Sequence, residues 1–311
     1  MGRQAKRRHA TRSVAVLGAL LTAQVLTPGK AQAQQLEPRA YSPAPIGLNF
    51  VGLVTGYASG GVLTDPSLPI DNVHAIVYVA APYYGRTFGV FGHLANATVT
   101  IPYGWGTVHG DVQDVSRQVN RSGLVDPQVR VAMNLVGSPA LTPREFVQRK
   151  PQTTLGASLT ILAPLGQYDP AKLVNLGTNR WAIKPELGLS QPLGHWLFEG
   201  YAGVWLFETN ENFFGGQVRK QNPLTSYQAH IVYNLRPNFW AAADFTYYVG
   251  GSTEVNGLPK NDRQASTRGG LTLSVPLPRD QSLKFTWSRG VSVRLGSNFQ
   301  TIGLAWQYHW Q

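Results

Sequence analysis

The sequence predicts an all-β fold, an antiparallel up-and-down transmembrane β-barrel of about 12 strands. Three observations carry this expectation. Charged residues make up only 14% of the 311, against roughly 25% in soluble globular domains, too few to coat a water-facing surface. Apolar residues recur with period two over stretches of about ten residues, the length a tilted membrane-crossing strand needs. The connections between those stretches alternate between short and long, as they do around an outer-membrane barrel.

The chain opens on a targeting signal. Arg3, Lys6, Arg7, Arg8 and Arg12 precede the apolar stretch 14–26, and Ala31-Gln32-Ala33 follows. A basic head, a short apolar middle and a small-residue site make a secretory signal peptide, with cleavage expected near Ala33. Residues 1–33 carry six basic and no acidic residues, so their removal takes the basic count from 27 to 21 against 16 acidic. The formal charge falls from +11 to +5, and the support it gave to a nucleic-acid partner largely disappears. The cysteine count of zero excludes a disulfide scaffold and a thiolate metal site.

Residues 34–43 are expected as an N-terminal periplasmic segment and 44–311 as the barrel. The expected strands are 44–56, 73–84, 88–103, 124–137, 152–164, 180–191, 196–208, 224–235, 238–250, 264–276, 282–290 and 298–310. The last is the clearest: Ile302, Leu304, Trp306, Tyr308 and Trp310 alternate with Thr301, Gly303, Ala305, Gln307 and His309. Short connections are expected at 85–87, 192–195, 236–237 and 277–281. Long ones are expected at 57–72, 104–123, 165–179, 209–223 and 251–263, with 291–297 a shorter member of that series. One long connection, 138–151, falls on the short-turn side and is expected to hold a short helix. Closure has a plain cause. An unpaired backbone group in hydrocarbon costs several kcal/mol, so a spanning sheet has no edge.

With apolar faces outward, the opposite faces line a lumen. Its expected residues are Arg130, Lys184, Glu186, Glu199, Tyr201, Asp244, Tyr248, Arg268 and Lys284, with Trp205, His230 and His309 beside them. Four cations against three carboxylates point to a mixed, partly paired interior, not a single-sign filter. Twelve strands fall between side-chain-filled barrels of eight and open porins of 16–18, so a narrow or plugged channel follows. Either inward-folded loops or residues 34–45 would form the plug.

Several stretches resemble the outer-membrane transporter family named for the MetA pathway of phenol degradation. They are SGLVDPQVRVAMNLVG (122–137), LGQYDPAKLVNLGTNRWAIKPELGLSQPLG (165–194), and YYVGG with a following NG (247–251 and 256–257). The resemblance runs from about Gly47 to Trp310. It implies an outer-membrane barrel of a Gram-negative bacterium that passes small, often aromatic or apolar, compounds. The Asp126-Pro127 and Tyr168-Asp169-Pro170 pairs match that family's pattern and read first as strand-end geometry.

The function expected is passive diffusion of small organic solutes through a narrow lumen, with outer-membrane lipid and the solute as partners. Nucleic acid, metal and cofactors are not expected. The alternatives are a barrel hydrolase, or a structural or surface-interaction barrel with a blocked lumen. A hydrolase would bring His230 or His309 within hydrogen-bond reach of both a hydroxyl and a carboxylate. No catalytic motif is found around any histidine, so no enzyme is expected.

Overall fold

A computed structural model describes residues 36–63, 70–112, 115–294 and 296–311; the signal peptide expected at 1–33 and residues 34–35 lie outside the described residues. The strands of the first half are β1 (Asn49–Leu63), β2 (Ile70–Val90), β3 (His93–Thr100), β4 (Tyr103–Val112), β5 (Val115–Leu124), β6 (Gln128–Val136), β7 (Thr154–Leu162), β8 (Ala182–Leu193) and β9 (Trp196–Phe207). The second half holds β10 (Asn210–Phe213), β11 (Gln217–Gln221), β12 (Leu224–Arg236), β13 (Phe239–Gly250), β14 (Thr253–Val255), β15 (Leu258–Pro259), β16 (Gln264–Leu277), β17 (Gln281–Val293) and β18 (Gly296–Trp310). Twelve of them form a closed antiparallel ring, β1-β2-β3-β6-β7-β8-β9-β12-β13-β16-β17-β18, and β1 pairs with β18 to close it. Asn49 lies opposite Trp310 at that seam.

The orientation of the faces is that of a membrane barrel. Along β8, Ala182, Lys184, Glu186, Gly188 and Ser190 are buried while Ile183, Leu187 and Leu189 are exposed. A soluble sandwich would do the reverse. The exposed belt is bounded by aromatics at both ends. Trp196 packs on Tyr233 and Tyr84 on Trp310 near the short turns, and Tyr78 stacks on Trp105 toward the long loops.

Several expected boundaries shift. Residues 85–87 are not a turn: β2 runs on to Val90 and the reversal comes at Phe91–Gly92, both at positive φ. Paired positive φ values make the type I′ turn whose twist matches two antiparallel strands, and Arg279–Asp280 repeat it. The expected loop 104–123 is instead a hairpin, β4–β5, that prolongs the wall beyond the ring. β2 pairs with β3 over one half and β4 over the other, so β3 and β4 are one wall strand broken at Ile101-Pro102. Likewise Val125–Pro127 separates β5 from β6. Proline has no N–H to give the ladder, which accounts for both breaks.

β1 also reaches Leu63, and β17 and β18 reach Val293 and Gly296, which shortens the connections expected at 57–72 and 291–297. The expected loops 209–223 and 251–263 carry β10, β11, β14 and β15, a separate four-stranded sheet at the loop end. Between β6 and β7, α1 (Pro143–Phe146) is the short helix expected within 138–151. A capping box joins Thr142 to Glu145 at its start.

Candidate functional site

The segment expected in the periplasm, 34–43, runs inside the barrel over its described part. Polar wall residues hold it. Arg39 N donates to Glu199 Oε2 at 2.7 Å, Ala40 N to the Tyr201 hydroxyl at 3.2 Å, and Glu37 N to Gln228 Oε1 at 3.3 Å. Arg39 Nη1 reaches Asn234 Oδ1 at 2.9 Å, with the guanidinium over the Trp240 ring. Tyr41 is 1% exposed; its hydroxyl lies 3.0 Å from Ser158 Oγ and 3.2 Å from Glu186 Oε1, and Asn134 donates to its carbonyl. The segment then leaves the lumen at the short-turn end, where Ile46 and Gly47 donate to the carbonyls of Leu141 and Thr87. Prolines 38, 43 and 45 keep it from joining the sheet.

Two wall glycines make room for Tyr41. A Cβ at Gly156 or Gly188 would overlap its ring. These residues sit opposite one another on β7 and β8, so the ring lies against bare backbone.

The charged wall residues are arranged around this plug. Lys184 pairs with Glu186 at 3.0 Å, and Gln228 donates to the same carboxylate. Glu199 also accepts from Ser190 at 2.8 Å. Asp244 lies 2.6 Å from His230 Nδ1 and accepts from the Thr272 hydroxyl at 2.6 Å. Arg268 donates to Ser288, Thr301 and the Phe299 carbonyl. Arg130 lies over the Tyr41 ring, 5.2 Å from its centroid, and Lys284 stands within electrostatic reach of Glu37 and Asp244. Tyr201 meets Tyr41, while Tyr248 joins Trp205, Leu162, Ala182 and Leu224 in an apolar cluster facing into the barrel.

All nine residues expected in the lumen therefore face inward: Arg130, Lys184, Glu186, Glu199, Tyr201, Asp244, Tyr248, Arg268 and Lys284. Gln228, Ser158, Asn134 and Thr272 join them, neutral polar side chains that neither charge nor an aromatic ring marks in the sequence. The plug expected as one possibility from residues 34–45 is present over its described part, although Glu37, Arg39 and Tyr41 are not singled out in the sequence. Their one signal was the proline-rich stretch itself.

The hydrolase geometry is met in half. His230 has a carboxylate, but the Thr272 hydroxyl binds the far side of that carboxylate, and His230 Nε2 has no hydrogen-bond partner among the described residues. His309 faces inward near the short turns, with Nε2 4.0 Å from Asp280.

The family described as "Putative MetA-pathway of phenol degradation" matches residues 58–308. The chain belongs to that family. No curated protein matches this MetA-family barrel. Among solved structures, an outer membrane channel from Pseudomonas putida F1 superposes with a TM-score of 0.77 at 18% identity, covering 89% of this chain and all of that one. The β domain of the Bordetella autotransporter BrkA gives 0.50 at 12% identity, covering 84% of this chain and 99% of that one. Both share the closed-barrel fold. The MetA-family chain is an outer-membrane barrel, so its short turns, and with them the entrance of the plug, belong on the periplasmic side.

Proposed function

We propose that this barrel lets small apolar or aromatic organic solutes cross the outer membrane down their gradient, once the segment 36–47 moves from its seat. One observation carries the reading. The lumen contains an apolar, aromatic cluster of Trp205, Tyr248, Leu162, Leu224 and Ala182 alongside a polar, hydrogen-bonded seat for the plug. A porin for hydrophilic solutes has a polar, water-filled interior, whereas a site for apolar solutes is mostly apolar with a few placed polar groups. The family's description, phenol degradation, fits that chemistry. No enzymatic step is proposed: among the described residues His230 hydrogen-bonds only with Asp244.

The test uses vesicles whose outer leaflet is lipopolysaccharide, because plain phospholipid lets phenol through unaided. The reconstituted barrel is expected to speed phenol entry over protein-free vesicles and to leave arabinose entry near its background. Phenol entry equal to that of empty vesicles, with the barrel folded, would end the proposal.

A further inference from the structure

Two buried arginines at the outer mouth have no part in the plug. Arg180, just before β8, and Arg219, on β11, are 8% and 6% exposed. A short chain of contacts brings them together. Asn179 donates its amide to Asn210, which stands opposite Arg219 in the β10–β11 register. Arg180 Nη2 donates to Gln221, and Gln221 is two residues along β11 from Arg219, so it shares that face.

Both guanidinium groups lie over phenyl rings. Arg180 is 4.6 Å from the Phe207 centroid and Arg219 is 5.0 Å from that of Phe213. Trp205 stacks on Phe207, with planes 14° apart. Among the described residues, Arg180 Nη1, Arg219 Nε and Trp205 Nε1 are buried with no acceptor. Buried N–H groups without a partner are rare in folded proteins. Three of them at one end of the barrel, two beside the Phe207 ring and one over Phe213, mark a local shortage of acceptors.

Asp126 opposes the lowering of Arg180 and Asp262 that of Arg219, but burial outweighs both, and the two carboxylates are bonded to other donors. Asp262 accepts from Thr253 N and Oγ at 2.6 and 2.7 Å, and Asp126 accepts from Gly166 and from Thr178. Neither arginine forms a salt bridge among the described residues. Burial, and then the neighbouring Arg219, push Arg180 down to about 9, the direction of a cation short of counter-charge. Burial also lowers Arg219.

We propose that Arg180 and Arg219 form an anion-binding subsite at the outer mouth, taking the carboxylate of an aromatic acid whose ring lies against Phe207 and Trp205. A carboxylate supplies two acceptor oxygens where the Gln221 amide supplies one, and guanidinium binds it with a matched pair of bonds. The aromatic walls favour an arene over a bare inorganic anion. The subsite refines the transport reading by naming a cargo class, but binding is measured apart from flux.

Benzoate, toluene and sulfate are the probes, titrated by calorimetry into the full-length barrel in detergent. Benzoate is expected to bind saturably and to raise the melting temperature of the unmutated protein more than toluene or sulfate does. Arg219→Gln should weaken benzoate about tenfold or more, the scale of a lost charge-assisted bond, and Arg219→Lys less. Heat-modifiable migration on gels reports whether each variant keeps its barrel. Benzoate binding no tighter than toluene, sulfate matching benzoate, or an unchanged affinity in folded Arg219→Gln would each overturn the subsite. Failed phenol flux with benzoate binding intact would instead overturn the transport reading alone.

Discussion

Tyr41 of the plug stands edge-on to Tyr201 of the wall, with ring centroids 5.2 Å apart and planes at 78°. The same ring lies over two glycines and under the Arg130 guanidinium. One side chain thus meets β6, β7, β8 and β9 at once. Truncating a buried aromatic costs roughly 3–5 kcal/mol. Here the loss falls on the seating of the plug, because Tyr41 contributes nothing to the barrel ladder. Tyr41→Ala is expected to raise single-channel conductance in planar bilayers severalfold while the barrel still migrates as folded. Gly188→Ala should do the same with the tyrosine intact, since its methyl occupies the space of the ring. An unchanged conductance in both variants would show that the plug does not limit the pore.

Glu37 gives that seating a pH dependence. Burial opposes its charge, but Lys184, Arg130, Lys284 and, less strongly, His230 outweigh it and hold the carboxyl below its ordinary 4.5. A group whose pKa is lower in the folded state stabilises fully above its ordinary value, and that contribution fades as pH falls through the lowered one. The plug should therefore stay seated from pH 8 down to 4.5 and loosen only below that. Conductance followed from pH 8 to 3 checks this. Glu37→Gln should start from a raised conductance at neutral pH and show a smaller acid rise than the unmutated barrel. Identical profiles for the two proteins would remove Glu37 from the seat.

Asp244 shows what the wall charges do for the barrel itself. It takes hydrogen bonds from two buried partners, His230 and Thr272, on β12 and β16, the strands that flank its own β13. Each bond to a charged group contributes roughly 1.5–3 kcal/mol. Asp244→Ala should lower the urea midpoint for unfolding from vesicles clearly, and Thr272→Val, which removes one bond, by less. A midpoint equal to that of the unmutated barrel would mean the pair is idle.

The fold was legible because a membrane wall imposes period two on every strand, and residues such as Leu187 and Glu186 have no other way to be neighbours. Loop-end boundaries were not, because strands that outgrow the bilayer lose that constraint. Along β5, Arg117, Val119, Arg121 and Gly123 oppose no apolar face, and 104–123 reads as a loop although it pairs residue by residue. The plug was legible only as one of two possibilities, residues 34–45 or inward-folded loops, and its seat was not legible, for a different reason. Its docking is written in the partners, Glu199, Gln228, Gly156 and Gly188, which sit far along the chain. The stretch PRAYSP carries no periodicity of its own. Asp169 caps a turn through its bond from Ala171 N, as its Asp-Pro pair suggests, whereas Asp126, in the same kind of dipeptide, plays another part.

Asp126 is a tie between distant segments. It is 1% exposed at the break between β5 and β6, and it holds Gly166 N at 2.9 Å, Thr178 N at 2.8 Å and Thr178 Oγ at 2.6 Å. Those bonds draw residues 163–181 across the place where the hairpin β4–β5 leaves the ring. Gln167 N and Arg121 Nε complete the join through the carbonyls of Leu124 and Val174. Asp126→Ala removes these bonds at the loop end and no backbone bond of the ladder beneath it. Its damage is therefore expected to be local: faster amide exchange at Gly166 and Thr178, and protease cleavage within 163–181, while the remainder of the barrel stays resistant. If exchange instead rose along β7 and β8 as well, Asp126 would be holding up the wall rather than fastening a segment to it.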